Sequence, residues 1–139
     1  MRAKAFLQSV LHQRRMAEVY RREADEAEKD IAFIHCGGYG GTHGGGSADL
    51  SGKVARIERY TRRAVAAKEK LQDMRARAER LIDAIERPEY REILHRRYLL
   101  AERWESIADE MSYNIRHVYK LHGSALAEAD KKMALNGTF

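Results

Sequence analysis

The side chains best suited to chemistry lie in one short segment near the end of the sequence. They are basic or imidazole side chains that carry hydrogen-bond donors: Arg116, His117, Lys120 and His122. The residues between them include Ile115, Val118 and Leu121, and this spacing predicts a helix with an apolar inner face and a basic outer face. Such a helix is shaped to enter a major groove, where its donors reach base edges. A helical hairpin with a solvated basic face fits the same spacing.

A second amphipathic helix is predicted just before this segment. Its apolar residues fall at i, i+3, i+4 and i+7, on one helical face: Trp104, Ile107, Ala108 and Met111. The polar break Ser112-Tyr113-Asn114 follows, and Asn114 stands where an N-cap accepts from the first free backbone N–H groups. Residues 103–122 therefore predict a helix-turn-helix whose recognition helix runs from about 115 to 133. Pro88 suits the first turn of the helix that precedes this motif.

Two longer helices are predicted earlier in the chain, at about 3–35 and 52–87. Their apolar residues alternate in steps of three and four, which is a heptad seam. The Gly-rich stretch at about 36–50 predicts a flexible connector, with Asp49 and Ser51 as capping candidates for the second helix. The fold class is therefore all-α, a long antiparallel coiled-coil-like hairpin followed by a helix-turn-helix.

This layout predicts two domains, the hairpin at 1–87 and the DNA-binding motif at 88–135. A single two-helix hairpin buries little apolar surface. We therefore expect the hairpin to be an oligomerisation element, whose seams are completed by a second copy or by the C-terminal helices. A homo-oligomer, dimer or tetramer, is the expected assembly.

Charge is distributed unevenly along the chain. The net charge is +5, but residues 52–97 carry 14 basic and 8 acidic side chains, whereas residues 98–139 carry 5 and 6. The predicted DNA-binding motif is thus nearly neutral. One cysteine, Cys36, fits a reducing compartment, and no stretch approaches the roughly 20 apolar residues of a membrane span. We expect a cytoplasmic protein with no membrane partner.

The sequence departs from the patterns of three other kinds of site. The segment at 46–54 departs from a P-loop, because its glycine spacing is too long and Val54 replaces the required Ser or Thr. His35, Cys36 and His43 lack the fourth ligand of a zinc site. No nucleophile, base and orienting group fall together. The sequence therefore predicts no enzyme, no cofactor and no metal.

Residues 91–129 resemble region 4 of sigma-70-type factors. The matching motifs are Arg97-Tyr98, Trp104-Glu105-Ser106-Ile107-Ala108, Val118-Tyr119-Lys120-Leu121 and Ala125-Leu126. The whole layout is similar to small phage proteins of the ArpU/RinA type of late-gene regulators, and the run Arg116–Gly123 is especially similar to theirs. The resemblance implies binding of promoter DNA.

Carried over residue by residue, the resemblance implies contacts from one end of the recognition helix: Ile115, Arg116, His117, Tyr119 and Lys120. Ile115 replaces a usually polar residue, so it either touches a thymine methyl or packs. Asn114 joins this set at the helix start. Arg97 and Arg103 belong to a basic segment that is either a solvated face or a phosphate contact beside the recognition helix.

The function that these expectations favour is a phage or prophage regulator of late transcription, acting on double-stranded DNA in the bacterial host cell. One alternative is a small terminase subunit for DNA packaging, in which the order of the two regions is commonly reversed. Another is an adaptor that docks RNA polymerase without binding DNA. RNA polymerase is a candidate partner of the regulator as well.

Overall fold

The computed structural model describes residues 2–35 and 46–137, and over these residues the chain is all-α, as predicted. The helices are α1 (Arg2–His35), α2 (Gly46–Asp83), α3 (Pro88–Leu94), α4 (Trp104–Met111) and α5 (Ile115–Asn136), with a π-helical turn at His95–Leu99 after α3. No strand occurs in the described ranges. None of the helices described is both long and apolar enough to cross a membrane.

The predicted hairpin helices are confirmed, with two differences at the ends of the second. It begins at Gly46 rather than at about 52, so the capping candidates Asp49 and Ser51 lie inside it and are wrong. The predicted connector is correspondingly too long, since 46–50 are helical; its remainder, 36–45, lies outside the described residues. The helix ends at Asp83, before the predicted Arg87. Arg87 precedes a proline, which disfavours the helical conformation, and it adopts the extended φ −74° and ψ 117°.

One compact unit consists of Met1–Gln13 together with Leu71–Phe139, so the predicted boundary at 87/88 falls inside it. Its core joins the start of α1 and the end of α2 to the C-terminal helices. Seam residues such as Ala3, Val10 and Leu81 are buried there, and so are Leu7 and Ile82 beside the seams. The Ala3 N–H donates to Asp130 Oδ1 at 2.8 Å, so a carboxylate of α5 satisfies a free donor in the first turn of α1.

The second compact unit, Arg14–Lys70, holds the remaining parts of α1 and α2. Its seam is built mainly from small residues and tyrosines, with Ala24, Ala27 and Ala67 buried. Two ion pairs cross between the helices. Arg63 pairs with Glu23, and Arg56 Nη2 lies 3.8 Å from Asp30 Oδ2. The second pair lies seven residues later in α1 than the first and seven residues earlier in α2. The two helices are therefore antiparallel, as expected of a hairpin.

Candidate nucleic-acid interface

The turn between α4 and α5 is closed by backbone geometry and one side-chain cap. Ser112 ends α4 in the left-handed region, with φ 57° and ψ 39°, and its N–H donates to the carbonyls of Ala108 and Asp109. Asn114 is extended, and its side-chain oxygen accepts from the His117 N–H at 2.8 Å. The predicted N-cap is confirmed. It satisfies one of the donors that the start of a helix leaves free, and it fixes where α5 begins.

The inner faces of the two helices are apolar, as the spacing predicts. On α4, Ile107 and Ala108 are buried while Trp104 and Met111 are half-buried. On α5 the buried residues recur at helical spacing: Val118, Leu121, Ala125, Leu126 and Ala129. Ile115, the first residue of α5, remains 38% exposed. The packing begins one turn later than the sequence spacing suggests, so Ile115 is available on the surface.

The outer face of α5 carries the residues that the sequence singles out. Arg116, His117 and Lys120 are exposed, and Tyr119 is 50% exposed. The His117 ring meets the Tyr113 ring edge to face at 4.5 Å between centroids. Within the described part of the chain, the Arg116 and Lys120 side chains have no hydrogen bond or ion pair. Both can therefore turn their donors to an incoming ligand without breaking an internal bond.

Gly123 extends this exposed face by one further turn, because it follows Arg116 by seven residues and Lys120 by three. A Cβ built there would meet nothing within 4 Å. The protein interior therefore does not require a glycine at this position. A glycine inside a helix lowers its stability relative to alanine, so this position is one where a functional constraint can be tested.

His122 does not belong to the outer face, and its placement there from the sequence is wrong. Its Nε2 lies 2.8 Å from the Tyr98 hydroxyl, and its ring meets the Trp104 ring at 4.6 Å between centroids. Burial lowers the pKa of His122 to about 4, with smaller contributions from the positive charges of Lys4 and Arg97. The imidazole is thus a neutral packing group at pH 7, where it joins α5 to the turn before α4.

The turn before α4 is wound wider than an α-helix, a feature that no residue pattern in the sequence predicts. The Leu100 N–H donates to the His95 carbonyl, and the Glu102 N–H to the Arg96 carbonyl, both at 2.9 Å. This winding buries Tyr98 together with Leu99. Wider turns of this kind often accompany functional sites. Here the turn directs the Tyr98 hydroxyl toward His122 of α5.

The two arginines predicted outside the recognition helix differ in their surroundings. The Arg97 guanidinium lies 4.6 Å from the centroid of the Trp104 ring and donates to the Glu102 carbonyl at 2.9 Å, in a half-buried position. Arg103 is exposed and immediately precedes α4. Arg103 is therefore accessible to a phosphate, whereas Arg97 supports the packing of Trp104.

Other arginines of the same basic segment are also engaged inside the protein. Arg91 donates to the carbonyls of Ile85 and Glu86 at 2.7 and 2.8 Å, which satisfies backbone acceptors where α2 gives way to α3. Arg96 pairs with Glu92 at 3.0 Å and with Glu102 at 3.3 Å. The segment therefore offers fewer cations to a ligand than its sequence suggests.

The exposed side of α4 is acidic. Glu105, Asp109 and Glu110 are all exposed on this eight-residue helix. Negative charge beside α5 repels a phosphate backbone that passes over α4. This acidic surface is suited to contact with a basic protein surface.

Among the described side chains, no group of three His, Cys, Asp or Glu residues could hold a metal ion. The candidate set His35, Cys36 and His43 lies outside the described side chains. Comparison of the chain with protein-family models, with curated proteins and with solved structures gives no match.

Proposed function

We propose that the protein binds double-stranded DNA through its C-terminal helices and regulates transcription in a phage or prophage. In this proposal the N-terminal part of α5, as far as Gly123, enters the major groove. Arg116 and Lys120 contact bases and phosphates, with His117 and Tyr119 beside them. The resemblance of residues 91–129 to sigma region 4 supports the assignment to transcription.

One observation carries the proposal: Arg116 and Lys120 lie one turn apart on the exposed side of α5, directly after the turn that Asn114 caps. An arginine donates two parallel hydrogen bonds to guanine O6 and N7, and a lysine neutralises a phosphate or reaches the same acceptors. Groups of this kind at the N-terminal end of the second helix are the usual readers in helix-turn-helix proteins.

The packing behind α5 supports the same proposal. A recognition helix must be held at a fixed angle, because a base contact tolerates little displacement. Here α5 is held by Val118 and Leu121 in the core and by the Tyr98–His122 hydrogen bond. The Trp104 ring also meets the Tyr119 ring edge to face at 5.4 Å, which limits the movement of that half-exposed side chain.

The acidic side of α4 favours a second candidate function. Glu105, Asp109 and Glu110 could serve an adaptor that docks a basic surface of RNA polymerase and leaves DNA untouched. Such an adaptor would show no salt-dependent DNA binding and would co-purify with polymerase. The regulator would show binding that weakens steeply as salt is raised.

The proposal is tested by selecting bound fragments from a random DNA pool and measuring their affinity by gel shift at two salt concentrations. Arg116→Ala and Lys120→Ala should each weaken binding to the selected fragment by about ten- to hundredfold. Both side chains are exposed, so circular dichroism should show unchanged helicity.

Lys131→Ala provides the matched control, because Lys131 is also an exposed lysine of α5 but lies three turns after Lys120. It pairs with Glu128 at 3.6 Å. It should change affinity by less than about twofold. Equal binding by all three variants, or an absence of any salt-dependent binding, would exclude DNA recognition by this face.

A further inference from the structure

A groove runs between α1 and α2 in the unit Arg14–Lys70. Its volume is about 380 Å³, and it is lined by Val19, Arg22, Glu23, Glu26, Arg56 and Tyr60. Val19 is 43% exposed, although it lies beside the half-buried Tyr20 of the seam. An aliphatic side chain exposed beside a seam of alanines and tyrosines leaves apolar surface that the two helices do not cover.

The charges on the two sides of the groove are opposite in sign. On the α1 side, residues 23–30 contain five acidic side chains and one basic side chain. On the α2 side, residues 56–63 contain four arginines and one glutamate. Some of this charge is paired inside the hairpin, as in Arg63–Glu23 and Arg56–Asp30. Glu26 lines the groove, is exposed and pairs with Lys29 of its own helix at 3.3 Å. Arg59 is exposed one turn before Arg63 on α2, and its guanidinium lies 5.4 Å from the centroid of the Tyr60 ring that lines the groove.

We infer that a second copy of this chain occupies the groove, with α1 of each copy lying along α2 of the other. A two-fold axis parallel to the helices produces this arrangement, because it places an acidic margin opposite a basic margin twice. Every neighbouring helix pair in the resulting four-helix bundle is antiparallel, as within the hairpin itself.

The register across the two copies follows from the register within one. Rotation about such an axis leaves each residue at the same height along the helices. Two residues that are level, meaning at the same height, within one copy are therefore also level between the two copies. Glu23 is level with Arg63, so Glu26, three residues further along α1, is level with Tyr60. Its carboxylate then faces Arg59 of the second copy. By the same count Val19 is level with Ala67, so it packs beside the exposed Ala66 of the second copy.

This pairing does not depend on DNA binding, and the two are measured separately. The experiment is sedimentation equilibrium on the full chain over a range of concentrations, without DNA. The native chain should form dimers. Glu26→Arg turns two attractive pairs into two repulsive ones and should raise the dissociation constant about tenfold or more. Arg59→Glu should do the same, and the double variant Glu26→Arg/Arg59→Glu should recover to within about threefold of the native value.

Matched controls carry the same charge changes on the opposite sides of the helices. Glu28 lies about 200° around α1 from Glu26, and Lys68 lies about 180° around α2 from Arg59. Glu28→Arg and Lys68→Glu should leave the dissociation constant within about twofold of native. A chain that is monomeric at all concentrations would overturn the inference. Equal effects of Glu26→Arg and Glu28→Arg, or a double variant no better than the single ones, would also overturn it.

Discussion

The Tyr98 hydroxyl and the His122 Nε2 lie 2.8 Å apart and connect the π-helical turn to α5. Their rings are stacked, with 5.7 Å between centroids, and the Trp104 ring closes the cluster from α4. Each of the three residues comes from a different element of the helix-turn-helix region. The cluster therefore fixes the orientation of α5 relative to α4 and to the turn before it.

Tyr98→Phe should lower the free energy of unfolding by about 1–2 kcal/mol, because it leaves the half-buried His122 nitrogen without its partner while keeping the ring. Urea denaturation at pH 7 measures the loss. Tyr90→Phe is the control, since its hydroxyl accepts from Arg87 at an exposed site, and it should cost less than about 0.5 kcal/mol. Equal losses from the two variants would contradict a special role for the Tyr98–His122 bond.

The lowered pKa of His122 predicts a specific loss of stability in acid. Its pKa is about 4 in the folded chain against 6.5 unfolded, so between these values the unfolded chain binds more protons. The stabilisation is therefore complete above pH 6.5 and declines as the pH falls toward 4. We expect about 2 kcal/mol to be lost, after a reduction for the partial exposure of the ring.

Denaturation of the native chain and of His122→Gln at pH 7 and pH 4.5 isolates this contribution. The variant should lose less stability over the interval, although its carboxyl groups titrate as before. His12→Gln, at an exposed position of α1, should lose as much as the native chain. Parallel pH profiles for all three proteins would mean that His122 is not protonated during acid unfolding.

The two long helices could be predicted from the spacing of their apolar residues, because each helix buries one apolar face. Ala3, Ala24 and Ala78 lie in predicted seams and are buried. The capping role of Asn114 was also predictable, since it is a local interaction within three residues. These features depend on neighbours in sequence.

The features that sequence reasoning missed depend on contacts between distant residues. His122 looks like a surface residue by type, and its half-buried position depends on the Tyr98 hydroxyl and the Trp104 ring, which come from other elements. The arginines before α4 look like a continuous basic surface. Arg96 pairs with Glu92 at ordinary helical spacing, but its second partner, Glu102, follows the π-helical turn, whose winding has no distinctive residue type.

Ser112→Gly should raise the free energy of unfolding by about 0.5–1 kcal/mol. Ser112 has φ 57°, where the Cβ of an L-residue is sterically unfavourable, and glycine removes this strain. The gain is partly offset because glycine makes the unfolded chain more flexible. Thermal and urea denaturation both report the gain. Ser106→Gly is the matched control within α4, where glycine should instead lower stability by about 0.5 kcal/mol. A destabilised Ser112→Gly protein would show that the serine side chain itself supports the turn.

Gly123→Ala should separate stability from DNA binding. Gly123 lies inside α5 with open space around its Cα, so alanine should raise the free energy of unfolding by about 1 kcal/mol. If α5 lies in a major groove, the same methyl group obstructs close approach of the DNA and should weaken binding to the selected fragment about tenfold. Ala127→Gly, further along the exposed side of α5, should lower the free energy of unfolding and leave the affinity for DNA nearly unchanged. A Gly123→Ala protein that is more stable and binds DNA as well as the native chain would place this turn of α5 outside the contact. The reading contacts would then be confined to the first two turns, around Arg116 and Lys120.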